Sequence, residues 1–239
     1  MTLLAIEQLT VTFGAVTAVD DLSLTIDAGT FVGLIGPNGA GKTTCIDALT
    51  GFVPARGHVL FDGRPIDGLS PDARVRLGMV RTWQSIELFD DLDVRENLEV
   101  AATRSRWWSP LLDVVWPSRR GAERAVDYAI DVLDLGHIVG RFPRQLSLGQ
   151  RKLVGIARAI ATEPRLLLLD EPAAGLDPNE SSDLGNRLRG LLDHDMGLVL
   201  TVCDIVHVLE FGALISTGPP AAIRADERVI SAYLGTEAR

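Results

Sequence analysis

Residues 36–44 read GPNGAGKTT, and no other stretch restricts the fold of this chain as strongly. Gly36, Gly41, Lys42 and Thr43 fill the pattern G-x-x-x-x-G-K-[ST], with Pro37, Asn38, Gly39 and Ala40 inside it and Thr44 just after. The pattern needs a strand before it and a helix behind it. Thr30–Ile35 (TFVGLI) is a short apolar run suited to a buried strand, and Thr44–Thr50 (TCIDALT) suits a helix. Glycines at the turn let backbone N–H groups close around a phosphate, because no Cβ blocks the approach. The helix N-terminus adds unpaired N–H groups and the positive end of its dipole. Lys42 can then reach the β- and γ-phosphates of a nucleoside triphosphate, and the Thr43 hydroxyl can hold Mg²⁺. The loop predicts a triphosphate; it does not say what the energy drives.

The rest of the chain gives that loop an α/β setting. Residues 3–35 alternate in a strand-like way, punctuated by Gly14 and Gly29, and residues 55–62 (ARGHVLFD) add another short strand. The spacing of Ala125, Ile130 and Leu133 predicts a helix over Gly121–Leu135, and Leu153–Ala161 predicts a second. A length of 239 residues, 46% of them hydrophobic, suits one large domain with a small appended lobe. The expected organisation is therefore a nucleotide-binding core, about 1–84 and 161–239, with a helical lobe inserted at about 85–160.

Charge and cysteine usage exclude other classes. The formal net charge of −9 argues against a nucleic-acid partner, which calls for a basic field. Cys45 and Cys203 stand far apart without metal-ligand spacing, so a reducing setting is expected. The opening MTLLAIEQLT has no basic region followed by an apolar core, and no run approaches the ~18–20 apolar residues of a membrane span. A soluble protein without a signal peptide is the expectation.

A second chemical site is RLLLLDEP, residues 165–172. Four leucines predict a buried central strand that ends in Asp170 and Glu171. Carboxylates at that end of a parallel strand face the crevice where such sheets bind ligands. Asp170 is suited to hold Mg²⁺ with Thr43, and Glu171 to polarise the water that attacks the γ-phosphate.

Between the two lies LSLGQRKLVGIARAIA, residues 146–161. Ser147 and the N–H groups near Gly149 would cap the following helix and offer a second anion site. LSLGQ resembles the signature motif of ATP-binding cassette (ABC) ATPases, with Leu148 where the commoner form has glycine. The resemblance implies a P-loop NTPase core with a mixed sheet, an antiparallel β subdomain and an inserted helical subdomain. It implies ATP and Mg²⁺ as ligands. It also implies that Ser147, Gly149 and Gln150 face the γ-phosphate held by a second cassette, so that two ATP molecules are buried head to tail.

Other family positions match in turn. Phe13, in TVTFG, falls where the family stacks an aromatic on adenine, although a phenylalanine there also suits a core. Gln84 matches the glutamine that touches Mg²⁺ and relays nucleotide state to the membrane partner. Gly175, Leu176 and Asp177 match the loop that crosses the dimer interface. His194 matches the switch histidine at the γ-phosphate, whereas His58, His137 and His207 read as surface or packing residues.

LSLGQRKLVGIARA, LLLLDEPAAGLD, HDMGLVL and the ending ISAYLG are similar to ATP-binding subunits of branched-chain amino-acid importers, over roughly residues 3–236. By implication the partners are two membrane permease subunits, a second cassette (identical or a close relative) and, indirectly, an extracytoplasmic solute-binding protein. The chain would sit peripherally on the cytoplasmic face of the membrane. The segment RSRWWSPLLDVVWPSRR, residues 104–120, carries Trp107, Trp108 and Trp116 between arginines, a composition that suits either a permease-docking surface or the lobe's own core.

One departure stands out. Only 16 residues, Pro178–Asp193, separate Asp177 from His194, roughly 5–10 fewer than a helix and a strand require. Either a stretch is missing from the sequence, or the protein has lost it, or LVLTV (198–202) serves as the strand. The first two are favoured because HDMGLVLTVCDIVHVLEFG keeps the family register. A true deletion removes a strand and favours weak turnover, which leaves a regulatory nucleotide-binding module as one alternative. A non-transport ABC ATPase is the other.

Overall fold

A computed structural model describes residues 1–83, 87–103, 119–189 and 203–234. The chain divides into two compact units, one formed by residues 1–76 and 192–239, the other by residues 77–191.

The first unit contains two sheets. β1 (Thr2–Phe13) and β2 (Val16–Asp27) form a long antiparallel hairpin, joined by β4 (Arg56–Phe61) and β5 (Arg64–Pro65) in the order β2-β1-β4-β5. Leu4, Ile6, Leu9, Val11, Val19, Leu22, Val59 and Phe61 are buried, as the alternation predicts. β3 (Val32–Ile35) pairs in parallel with β8 (Ile205–Glu210), and β8 pairs antiparallel with β9 (Ala213–Gly218). Helix α1 (Lys42–Thr50) starts two residues before the predicted Thr44, since Gly41 serves as its N-cap. Its C-terminus is held by Arg74 of α2 (Pro71–Arg76), whose buried guanidinium donates to the Ala48 and Leu49 carbonyls at 2.9 and 2.7 Å. Two C-terminal helices, α7 (Pro220–Ala225) and α8 (Glu227–Leu234), supply Ile223 and Val229 to a core with Cys203, Val206 and Val208. His207 is buried on β8 with its Nδ1 2.9 Å from the Thr217 hydroxyl, while His58 and His137 are exposed.

The second unit packs three helices on one another: α3 (Val94–Ala102), α4 (Arg119–Val132) and α5 (Leu148–Ile160). Asp93 and Glu96 cap α3 reciprocally, each accepting the other's backbone N–H at 2.9 Å. On α4 the buried face is Ala125, Val126, Ala129 and Ile130, with Leu133 just beyond it. Helix α5 starts at Leu148 rather than at the predicted Leu153, because its first turn is polar and carries no apolar period. β6 (Met79–Arg81) and β7 (Leu166–Leu168) form a parallel pair, and α6 (Pro178–Arg189) follows. The predicted strand Arg165–Leu169 is thus shorter, and its leucines are half-buried rather than buried. Among the described residues the strand neighbour of β7 is β6. Among the described residues no helix is long and apolar enough to cross a membrane.

Candidate functional site

The loop between β3 and α1 has a shape that only glycine permits at two points. Gly36 has φ 153, and a Cβ there would lie 2.1 Å from the Leu209 carbonyl oxygen. Gly41 has φ 99, and its Cβ would lie 2.3 Å from the Ala18 carbonyl oxygen. The loop is thus pressed onto β2 and β8 by backbone contact. The turn after β8 closes the wedge, as Gly212 donates to the Ala40 carbonyl at 3.1 Å and accepts from the Asp20 N–H at 2.9 Å.

Lys42 Nζ turns back over the loop and donates to the Gly36 and Pro37 carbonyls at 2.7 and 3.0 Å. The ammonium is therefore held above the backbone arch by groups that a phosphate oxygen can replace. No side chain caps α1 at Gly41, so its first-turn N–H groups face the loop. Asn38, Gly39 and Thr43 are exposed, Ala40 is buried, and Pro37 and Thr44 are half-buried. The strand, the arch, the lysine and the helix N-terminus together fit the phosphates of a nucleotide. Cys45, one turn into α1, is fully buried, and burial pushes its thiol up to about 12, so it is chemically inert. Phe13, at the end of β1 in the same unit, is 52% exposed, which removes the core alternative and leaves its ring open to a stacking partner.

The second unit carries the carboxylates. Asp170 follows β7 and is only 5% exposed, and its Oδ2 lies 3.4 Å from Arg81 Nη2. The Arg81 guanidinium also stacks over the Trp83 ring, with 4.2 Å to its centroid. Glu171 is exposed and left-handed at φ 47. Both acids line a cavity of about 490 Å³ with Arg81, Trp83, Lys152 and Arg158. Lys152 on α5 donates to the Pro172 and Ala174 carbonyls, and burial lowers its pKa against the opposing pull of Glu171. Arg81, Lys152 and Arg158 were not singled out from the sequence. Nothing in their local sequence distinguishes them from the other cations of the chain.

Ser147 caps α5 as expected: its hydroxyl accepts the Gln150 N–H at 3.2 Å, and Gln150 Oε1 accepts the Ser147 N–H at 3.0 Å. Gly149 is buried in the first turn, and Leu148 is 52% exposed. A Cβ on Gly175 would touch Leu148 at 3.6 Å, so the loop after Glu171 runs beside the cap. Asp177 in turn begins α6, accepting the Asn179 N–H at 2.8 Å. Gln84, His194, Trp107, Trp108, Trp116 and the LVLTV stretch lie outside the described residues.

Comparisons with known proteins point one way. Residues 19–174 match the family model "ABC transporter", and residues 213–239 match "Branched-chain amino acid ATP-binding cassette transporter". The chain is 39% identical over 249 positions to the high-affinity branched-chain amino acid transport ATP-binding protein BraF of Pseudomonas aeruginosa, covering 98% of both chains. It is 36% identical to the lipopolysaccharide export system ATP-binding protein LptB of Haemophilus influenzae, covering 99% of both. Among solved structures it resembles the ADP conformation of MJ1267, an ATP-binding cassette of an ABC transporter, with TM-score 0.82, 31% identity, and coverage of 98% of this chain and 99% of that one. The alignment with BraF runs over 249 positions against the 239 residues present here, so the relative has residues that this chain lacks.

Proposed function

This chain belongs to the ABC transporter family, and from that premise we propose that it is the ATP-hydrolysing subunit of an importer for branched-chain amino acids or related small polar solutes. The observation that carries the ATP reading is the glycine arch over which Lys42 is held. The solute class rests on the match of residues 213–239.

Each site residue then has a role. The Gly36–Thr44 backbone cradles the phosphates, Lys42 contacts the β- and γ-phosphates, and Phe13 stacks on adenine. Thr43, Asp170 and Gln84 are the proposed Mg²⁺ ligands, and the ion when bound neutralises phosphate charge. Glu171 accepts a proton from the attacking water, and His194 contacts the γ-phosphate. Ser147, Gly149 and Gln150 serve a second cassette, identical or closely related, and Asp177 crosses to it. Residues 1–84 and 161–239 form the ATP-binding core and 85–160 the helical subdomain, a span that includes α3, α4 and α5. The remaining partners are two permease subunits and, indirectly, a solute-binding protein, with the chain at the cytoplasmic membrane face. Nucleic acid has no place in this reading.

Neither alternative is favoured, since the C-terminal match is to a transporter cassette. The test is solute uptake. Membrane vesicles holding this chain with its permease pair and binding protein are expected to accumulate labelled leucine, isoleucine or valine with ATP inside, and to lose uptake with Lys42→Ala. Vesicles that hydrolyse ATP yet accumulate none of the three would reject the solute class.

A further inference from the structure

We propose that Arg81 is a positioning residue for the metal carboxylate: its guanidinium holds Asp170 in the metal-free chain, opposes the incoming Mg²⁺, and passes the exchange on to the Trp83 ring. The inference rests on reading Asp170 as a Mg²⁺ ligand of the ATP site.

β6 and β7 bring the two residues together. In their parallel register Arg81 stands opposite Leu168, and the Thr82 N–H continues the ladder by donating to the Leu168 carbonyl at 2.9 Å. Side chains along a strand return to the same face every second residue, so Asp170, two positions after Leu168, comes to the side that Arg81 occupies. The result is an ion pair of 3.4 Å between Arg81 Nη2 and Asp170 Oδ2, with side chains only 6% and 4% exposed. Water screens a pair on the protein surface, but it has little access to this one. A carboxylate buried to that degree needs positive charge close by, and Arg81 supplies it before any metal arrives.

The guanidinium is also held against a ring. Its central carbon lies 4.2 Å from the centroid of Trp83, and its Nε reaches the Thr82 carbonyl at 3.4 Å. Trp83 itself is 51% exposed, so one indole joins a buried cation to the surface. Both residues line the cavity that Asp170 and Glu171 share. A divalent cation at Asp170 therefore meets a positive charge already in place. Like charges this close, in a site with little water, repel, so Arg81 lowers the affinity for the metal and shifts from the carboxylate as the metal loads. Trp83, in contact with the guanidinium, feels that shift.

The test compares the Kd of a fluorescent ATP analogue in EDTA with its Kd in excess Mg²⁺, on the full chain. In Arg81→Gln the ratio of the two constants is expected to rise about tenfold, because the competing cation is gone. Arg81→Lys, which keeps the charge, should stay within about twofold of the wild-type ratio. A purely structural role would weaken binding in both media and leave the ratio unmoved, and an unmoved or smaller ratio in Arg81→Gln would overturn the competition. The second measurement needs no arginine variant. Adding Mg²⁺ to the ATP-loaded wild type should change its tryptophan emission more than it does in Trp83→Phe, and equal changes would overturn the link to the ring. Asp170→Asn should abolish the Mg²⁺ effect on Kd. If that variant keeps it, or if the wild type binds no ATP, the reading of the site fails and the inference falls with it, an outcome distinct from an unmoved ratio in a wild type that responds to Mg²⁺.

Discussion

Glu171→Gln is expected to slow ATP hydrolysis about a thousandfold while ATP still binds. The two side chains have nearly the same shape, so the exposed, left-handed position after Asp170 can be refilled without repacking. What the amide cannot do is accept a proton from the attacking water. Lys42 and the glycine arch are unaltered, so contacts to the phosphates persist. Phosphate release from the assembled transporter measures the first effect, and equilibrium binding of a fluorescent ATP analogue the second. Turnover near the wild-type rate would remove Glu171 from the role of base. A parallel loss of ATP binding would mean that the residue shapes the site rather than acting on water.

Gly41→Ala should do comparable damage by another route. Its φ of 99 is a conformation that costs a residue with a side chain about 1–2 kcal/mol, and the added Cβ would stand 2.3 Å from the Ala18 carbonyl oxygen. Backbone cannot swing aside as a side-chain tip can, so a further ~1–3 kcal/mol follows from displacing β2 or the loop. A total of about 3 kcal/mol lowers the melting temperature by about 6–12 °C in a chain of this size. ATP binding should be lost as well, because the displaced residue is the N-cap of α1. Gly39→Ala is the internal comparison. Its φ is 80, yet a Cβ there meets nothing within 4 Å, so only the conformational cost of about 1–2 kcal/mol applies. Equal losses of stability in the two variants would contradict the close approach at Gly41.

What could be read from the sequence was the local chemistry. The strand, arch and helix around Lys42 follow from residues that are neighbours in the chain, and they fold as expected within two residues. The cap at Ser147 was legible for the same reason, since its partner Gln150 is three positions away. Interactions between distant residues left no such mark. Arg81 and Asp170 are 89 positions apart, and no pattern in either segment announces that a buried arginine stands beside the carboxylate. The packing of Ile35 against the core that Ile223 and Val229 complete depends on how the C-terminal helices lie over β3, which the ending ISAYLG gave no means of deducing. The half-buried leucines of β7 make a related point. An apolar run predicts a strand, but its burial depends on neighbouring strands that the run itself does not specify.

The central claim is that this chain turns over ATP to drive a transporter, and the most direct test is Mg²⁺-dependent phosphate release by the 239-residue chain assembled with its permease pair. The predicted result is steady turnover that rises when solute-loaded binding protein is added and far exceeds that of the Glu171→Gln assembly. ATP bound at full stoichiometry, with phosphate released no faster than from the Glu171→Gln assembly, would contradict it.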